Sequence, residues 1–216
     1  MSAAERDKWN ERYCAGAYAA RTHPTALLED WSPYLRRGRA LDVACGTGRN
    51  ALYLARAGYQ VDAVDISPVG LERGRRAADE RGLSVRWLEA DLDDDPDAAL
   101  PDAEYDLIVW VRYVNRDLMP HLLRRLRPRG HLLCEQHLVC ARPDIAGPSG
   151  TRFRLQPNEL LQAFAAGAPG EHGARVLYYR EGLVTDPDGR RSALAQLVGC
   201  RAPGGTDATC AADSPD

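Results

Sequence analysis

No stretch of this 216-residue chain approaches the roughly 18 consecutive apolar residues that a membrane-spanning helix needs, and Met1 to Lys8 is too charged for a secretory signal peptide. A soluble protein with no membrane partner is expected. Basic excess is also missing: Lys plus Arg number 28 against 31 Asp plus Glu, a formal net charge of -3, so nothing prepares a surface for nucleic acid. Paired C-x-x-C spacing is absent too. Cys14, Cys45, Cys134, Cys140, Cys200 and Cys210 are scattered, and four of the six lie among apolar or small residues, as buried thiols do. This usage predicts a reducing, cytoplasmic compartment. The acidic run Asp93 to Asp97 lacks the glycine and terminal glutamate of a calcium loop, so it reads as a solvated loop and no metal site is expected.

What the sequence does contain is a glycine elbow. Leu41, Val43 and Ala44 have the character of a buried parallel strand, and Gly46 and Gly48 permit the backbone angles and close ligand approach of a tight turn. Asn50 to Ala57 then has helical spacing, closed by Gly58. Such an elbow aims free backbone N–H groups at a ligand. Gly46-x-Gly48-x-x-Ala51 also satisfies the dinucleotide fingerprint, so an NAD(P)-dependent oxidoreductase is one alternative. Asp42, inside the strand, weighs against it, because a pyrophosphate gains only repulsion from a second anion.

At these residues the chain resembles the class I S-adenosylmethionine-dependent methyltransferases, whose first motif places an acidic residue ahead of G-x-G. The resemblance implies an α/β fold: a doubly wound, mostly parallel, seven-stranded Rossmann-like sheet ending in a C-terminal antiparallel hairpin. The chain supports that order on its own terms. Val61 to Ile66, Ser84 to Asp91, Tyr105 to Val111 and His131 to Leu138 read as strands, with helices after Ser67-Pro68 and over 115–126. Residues 156–164 read as a short helix. Strands over 174–180 and 192–200 are joined through Asp186-Pro187-Asp188-Gly189, a strong hairpin turn. Residues 1–38 form an N-terminal helical segment and candidate lid, 39–201 the methyltransferase domain, and 202–216, almost without apolar bulk, a disordered tail.

S-adenosylmethionine is the cofactor that the resemblance implies, held by Arg12, Asp42, Ala44, Cys45, Gly46, Gly48, Asp65, Ile66, Asp91, Leu92 and Trp110. Asp65, at the tip of the second strand, is placed to accept from both ribose hydroxyls, Ile66 to lie on the adenine face, and Asp91-Leu92 to meet the adenine edge. Trp9, Tyr13, Trp110 and Tyr113 are available as an aromatic wall. Arg112 and His137 are the catalytic candidates, Arg112 as a charge partner for the acceptor and His137 as a base with Glu135 behind it. Trp9 to Tyr13 and Val111-Arg112-Tyr113 resemble the small-molecule branch that includes tellurite-resistance and thiopurine-type enzymes. Val111-Arg112-Tyr113-Val114 stands where nucleic-acid amino-methyltransferases carry Asn/Asp-Pro-Pro-aromatic. The expectation is methyl transfer to a small thiol, oxyanion, hydroxyl or amine by a monomer or homodimer, with a non-catalytic S-adenosylmethionine-binding protein as a further alternative.

Overall fold

The computed structural model describes residues 3–167 and 173–202, so the tail expected over 202–216 lies, beyond Ala202, outside the described residues. The chain opens with α1 (Ala3–Cys14) and α2 (Ala26–Trp31) and then alternates strand and helix: β1 (Arg39–Val43), α3 (Arg49–Arg56), β2 (Gln60–Asp65), α4 (Pro68–Asp79), β3 (Val85–Glu89), α5 (Pro96–Ala99), β4 (Tyr105–Val111), α6 (Leu118–Arg124) and β5 (Leu126–His137). Helix α7 (Glu159–Gly167) and the hairpin β6 (Ala174–Thr185) and β7 (Arg191–Arg201) complete it.

The sheet order is β3-β2-β1-β4-β5-β7-β6, with β7 antiparallel to both of its neighbours. The order reverses between β1 and β4, and such a switch point opens a crevice at the carboxyl ends of the strands. Helix-covered strands must be apolar on both faces. In β4, Leu107, Val109 and Val111 pack toward Leu28, Trp31 and Leu54 of α2 and α3, whereas Ile108 and Trp110 pack toward Leu118, Met119 and Leu122 of α6. The expected doubly wound sheet and closing hairpin are present.

Several boundaries differ from expectation. Helix α6 starts at Leu118 rather than Asn115, because Asn115 Oδ1 accepts the Asp117 N–H at 2.9 Å and holds the intervening residues in a turn. Strand β5 starts at Leu126, which pairs with Tyr105; pairing resumes at Leu107 with His131, so Arg127 to Gly130 bulge within the strand instead of leading into it. Helix α7 runs over Glu159–Gly167 instead of 156–164, since Glu159 Oε2 accepts the Gln156 N–H at 2.7 Å before the helix begins. In the acidic run, the Asp95 carboxylate accepts from Asp97 N–H and Ala98 N–H and caps the short α5. Of the cysteines, Cys134 and Cys200 are buried, Cys45 and Cys140 half-buried and Cys14 exposed, so two rather than four behave as core thiols among the described residues.

Asp42 connects fold to site. Its side chain is 1% exposed, and its Oδ2 accepts the Ala51 N–H of α3 at 2.9 Å, which hooks the helix onto β1. Burial pushes its pKa up to about 7. A carboxyl raised in the folded state stabilises fully below its unfolded value near 3.8 and loses that contribution as pH rises toward 7. Denaturant unfolding of the wild type and Asp42→Asn should therefore show the wild type losing up to about 1.4 kcal/mol per pH unit relative to the variant across that window. A difference that stays constant from pH 4 to 7 would refute the buried, proton-binding placement.

Candidate active site

A cavity of about 630 Å³ lies over the carboxyl ends of β1, β2, β4 and β5. Its floor is the elbow, where Ala44, Gly46 and Gly48 all take left-handed backbone angles, with φ of 52°, 59° and 77°. At Gly46 and Gly48 this conformation carries no steric cost, whereas Ala44 adopts it with a side chain. Cys45 N–H donates to Val64 O at 3.0 Å, tying the elbow to β2. Asp65 adds the decisive link: its Oδ2 accepts Gly46 N–H at 2.8 Å and its Oδ1 accepts Ser67 N–H at 2.9 Å. Burial pushes the Asp65 carboxyl pKa up against these bonds.

Ser67 Oγ accepts the Gly70 N–H at 3.1 Å as the cap of α4 and donates to Asn10 Oδ1 at 2.6 Å, which docks α1. Arg73 Nη1 donates to Tyr13 O at 3.1 Å. Tyr13 is thereby held above the elbow, so closely that a β-carbon on Gly46 would come within 2.7 Å of its hydroxyl. Trp9 stacks on Tyr13 with ring centroids 5.8 Å apart, and the Arg12 guanidinium lies 4.8 Å over Trp9. On the opposite wall, Ile66, Ala90, Leu92 and Asp93 line the cavity, and Asp93 is bonded by the Tyr113 hydroxyl and by Asn115 Nδ2.

The far end is cationic. Arg112, at φ 58°, directs its Nε to Glu135 Oε1 at 3.0 Å and its Nη1 and Nη2 to the two Asp186 oxygens at 2.8 and 2.6 Å. Arg21 reaches Asp186 and Asp188, so the β6–β7 turn, the N-terminal segment and the β4 tip meet in one ion-pair network. His137 lines this end; burial and the neighbouring Arg112, Arg154 and Arg21 cations push its pKa down to about 3.

Of the expected site residues, Arg12, Ala44, Cys45, Gly46, Asp65, Ile66, Leu92, Arg112 and His137 line one cavity. Asp42, Gly48, Asp91 and Trp110 do not. Asp42 turns to α3, Asp91 Oδ1 accepts the Asp93 N–H at 3.0 Å, and Trp110 faces the α6 side of the sheet, where it lines a smaller cavity of about 110 Å³. Gly48 approaches Trp87, whose ring a β-carbon would meet at 2.3 Å. Thr47, Arg49 and Arg21 line the cavity without having been expected there. Arg49 directly follows the elbow glycines, and that adjacency was the available signal. Among the described residues, no group of three or more His, Cys, Asp or Glu is arranged to hold a metal.

A family model described as a methyltransferase domain matches residues 40–130. The demethylmenaquinone methyltransferase of Deinococcus radiodurans is 32% identical over 169 residues, covering 74% of this chain and 65% of that protein. A probable S-adenosyl-L-methionine-dependent methyltransferase, TehB of Haemophilus influenzae, is 25% identical over 131 residues, covering 58% of this chain and 44% of that protein. The chain thus spans less than two thirds of these relatives. The crystal structure of TehB from Haemophilus influenzae superposes with a TM-score of 0.65 at 21% identity, over 89% of this chain and 67% of that one, a likeness of fold. By fold and by these matches the chain resembles the class I S-adenosylmethionine-dependent methyltransferases and TehB in particular, with residues 40–130 matching the methyltransferase domain. S-adenosylmethionine is the cofactor of that family, and neither the nicotinamide nor the non-catalytic alternative finds support.

The site fits that cofactor. Its volume lies within the roughly 300–1,000 Å³ of small-molecule sites. A buried carboxylate at the β2 tip suits ribose hydroxyls, and Ile66 and Leu92 offer apolar faces to a base. Because His137 is depressed, it should stay neutral at physiological pH, and its stabilising contribution is lost only as pH falls below 6.5 toward 3. Its ring resonances, assigned with His137→Gln, should show no titration between pH 8 and 5; a midpoint near 6.5 would contradict the site's electrostatics.

Proposed function

We propose that this protein transfers a methyl group from S-adenosylmethionine to a small acceptor that reacts as an anion or a soft nucleophile. The observation that carries the proposal is the polarity of one cavity, with Asp65 and the glycine elbow at one end and Arg112, Arg21 and neutral His137 at the other. When bound, the cofactor supplies a methyl group already activated on a sulfonium, so the protein's work is alignment and exclusion of water. Asp65 holds the ribose, Ile66 and Leu92 enclose the adenine, and Arg12 with Trp9 and Tyr13 covers the ligand from α1.

Arg112 and His137 hold the acceptor. With a pKa near 3, His137 is a weak base and serves better as a hydrogen-bond acceptor. The same cations that keep it unprotonated favour ionisation of an acceptor thiol or hydroxyl beside it. The relative named demethylmenaquinone methyltransferase supports a small-molecule acceptor, and the formal charge of -3 supports the absence of a nucleic-acid partner. We also assign residues 1–38 as cover for the site and 39–201 as the methyltransferase domain, working in the cytoplasm as monomer or homodimer. Among the described residues, no helix is long and apolar enough to cross a membrane.

Radiolabelled methyl transfer to a panel of thiols, phenols, amines and oxyanions should give product with a thiol or oxyanion; no transfer to any member would count against the proposal. Asp65→Ala should weaken S-adenosylmethionine binding by about 10- to 100-fold, the worth of charge-assisted hydrogen bonds to a diol. Unchanged affinity in calorimetry would remove Asp65 from the ribose site.

A further inference from the structure

Arg21, Arg112 and Arg190 line the cationic end of the cavity, and each meets at least one aspartate or glutamate. Arg49 lines the same cavity and differs from them. Its Nη1 donates to His23 O at 3.0 Å and its Nη2 to Thr25 Oγ1 at 3.0 Å, both neutral acceptors, and among the described residues no carboxylate lies within ion-pair distance. A guanidinium carries five N–H donors, so three remain. The group is half-buried, with Arg112 and Arg21 close enough to repel it and Glu135, Asp186 and Asp42 close enough to attract it, though none of these carboxylates contacts it. A half-buried cation whose direct partners are all neutral has room for a contacting carboxylate that a ligand can supply.

Position indicates which ligand group that is. Asp65, Ile66, Ala90, Leu92 and Asp93 bound one end of the cavity, where an adenosine fits. Arg49 is the first residue of α3, directly past Gly48, and lines the cavity near Arg112 and Arg21. A cofactor whose ribose rests on Asp65 must run its amino-acid arm along the elbow past this point. We infer that Arg49 receives the α-carboxylate of that arm, its planar fork matching the carboxylate edge. The inference rests on the proposed cofactor. Arg12 is the competing cation, but it is exposed and stacked on the rings of Trp9 and Tyr18, at 4.8 and 5.9 Å. Arg49 is instead fixed by two hydrogen bonds, as a receptor for a single geometry requires.

Calorimetric titration of the full chain with S-adenosylhomocysteine and with 5′-methylthioadenosine, which keeps the adenosine and sulfur but lacks the amino-acid arm, tests this. The wild type should bind S-adenosylhomocysteine the more tightly. In Arg49→Gln that affinity should fall about 10- to 100-fold while the methylthioadenosine affinity stays within about twofold, with Arg49→Lys recovering part of the loss. Thr25→Val, which removes a neutral contact of Arg49 but no charge, should leave both affinities near wild type, showing that loosening of the N-terminal segment is not the cause. Equal losses for both ligands in Arg49→Gln, no loss for either, or a selective loss in Arg12→Gln instead would overturn the assignment. If the wild type binds neither ligand, the cofactor itself is wrong and the inference falls with it.

Discussion

The carboxylate of Asp65 holds two chain segments in one place by accepting Gly46 N–H on one oxygen and Ser67 N–H on the other. Buried backbone donors must be paired, and here a single side chain pairs the elbow after β1 with the turn after β2. The rest of the adenosine end is built outward from that bond. Ser67, fixed by it, caps α4 and binds Asn10 of α1; Arg73 of α4 binds the Tyr13 carbonyl; Tyr13 then closes over Gly46. The N-terminal segment is thus positioned by the residue that we assign to the ribose. Burial raises the Asp65 pKa, so further donors to its oxygens are electrostatically welcome there.

The far end is organised by ion pairs. Arg112 is gripped by Glu135 and by both oxygens of Asp186, Glu135 Oε2 is in turn met by Gln196 Nε2 at 2.8 Å, and Arg21 brings the N-terminal segment onto Asp186. Partly buried charges are tolerated because each is paired and hydrogen-bonded. His137 is kept neutral by the same surroundings. One cavity therefore has an acidic end suited to a ribose and a basic end suited to an anion, and a positively charged sulfonium placed between them sees both.

Local chemistry made part of this visible in the sequence. The apolar run Tyr105 to Val111 is β4 at its observed bounds, the Ser67-Pro68 pair caps and starts α4, and Asp186-Pro187-Asp188-Gly189 turns the hairpin. Where long-range geometry decides, sequence was silent or misleading. Strand alternation sends Trp110 to the α6 layer while Val111 stays on the cavity side, so an aromatic next to the site is absent from its lining. Asp42 has the acidic identity that the family motif asks for, yet its oxygen anchors α3 rather than facing the cavity. The bond from Arg112 to Asp186 spans 74 positions, and no local pattern announces such a partner. Pro128 and Gly130 have turn chemistry, yet Arg127 to Gly130 form a bulge inside β5, because Leu126 ahead of them already pairs with Tyr105.

A structure of the protein crystallised with S-adenosylhomocysteine tests the central claim most directly. The account predicts ribose hydroxyls on Asp65, the adenine between Ile66 and Leu92, and the sulfur facing the end lined by Arg112 and His137. A nucleoside bound elsewhere, or a sulfur turned away from Arg112 and His137, would contradict it.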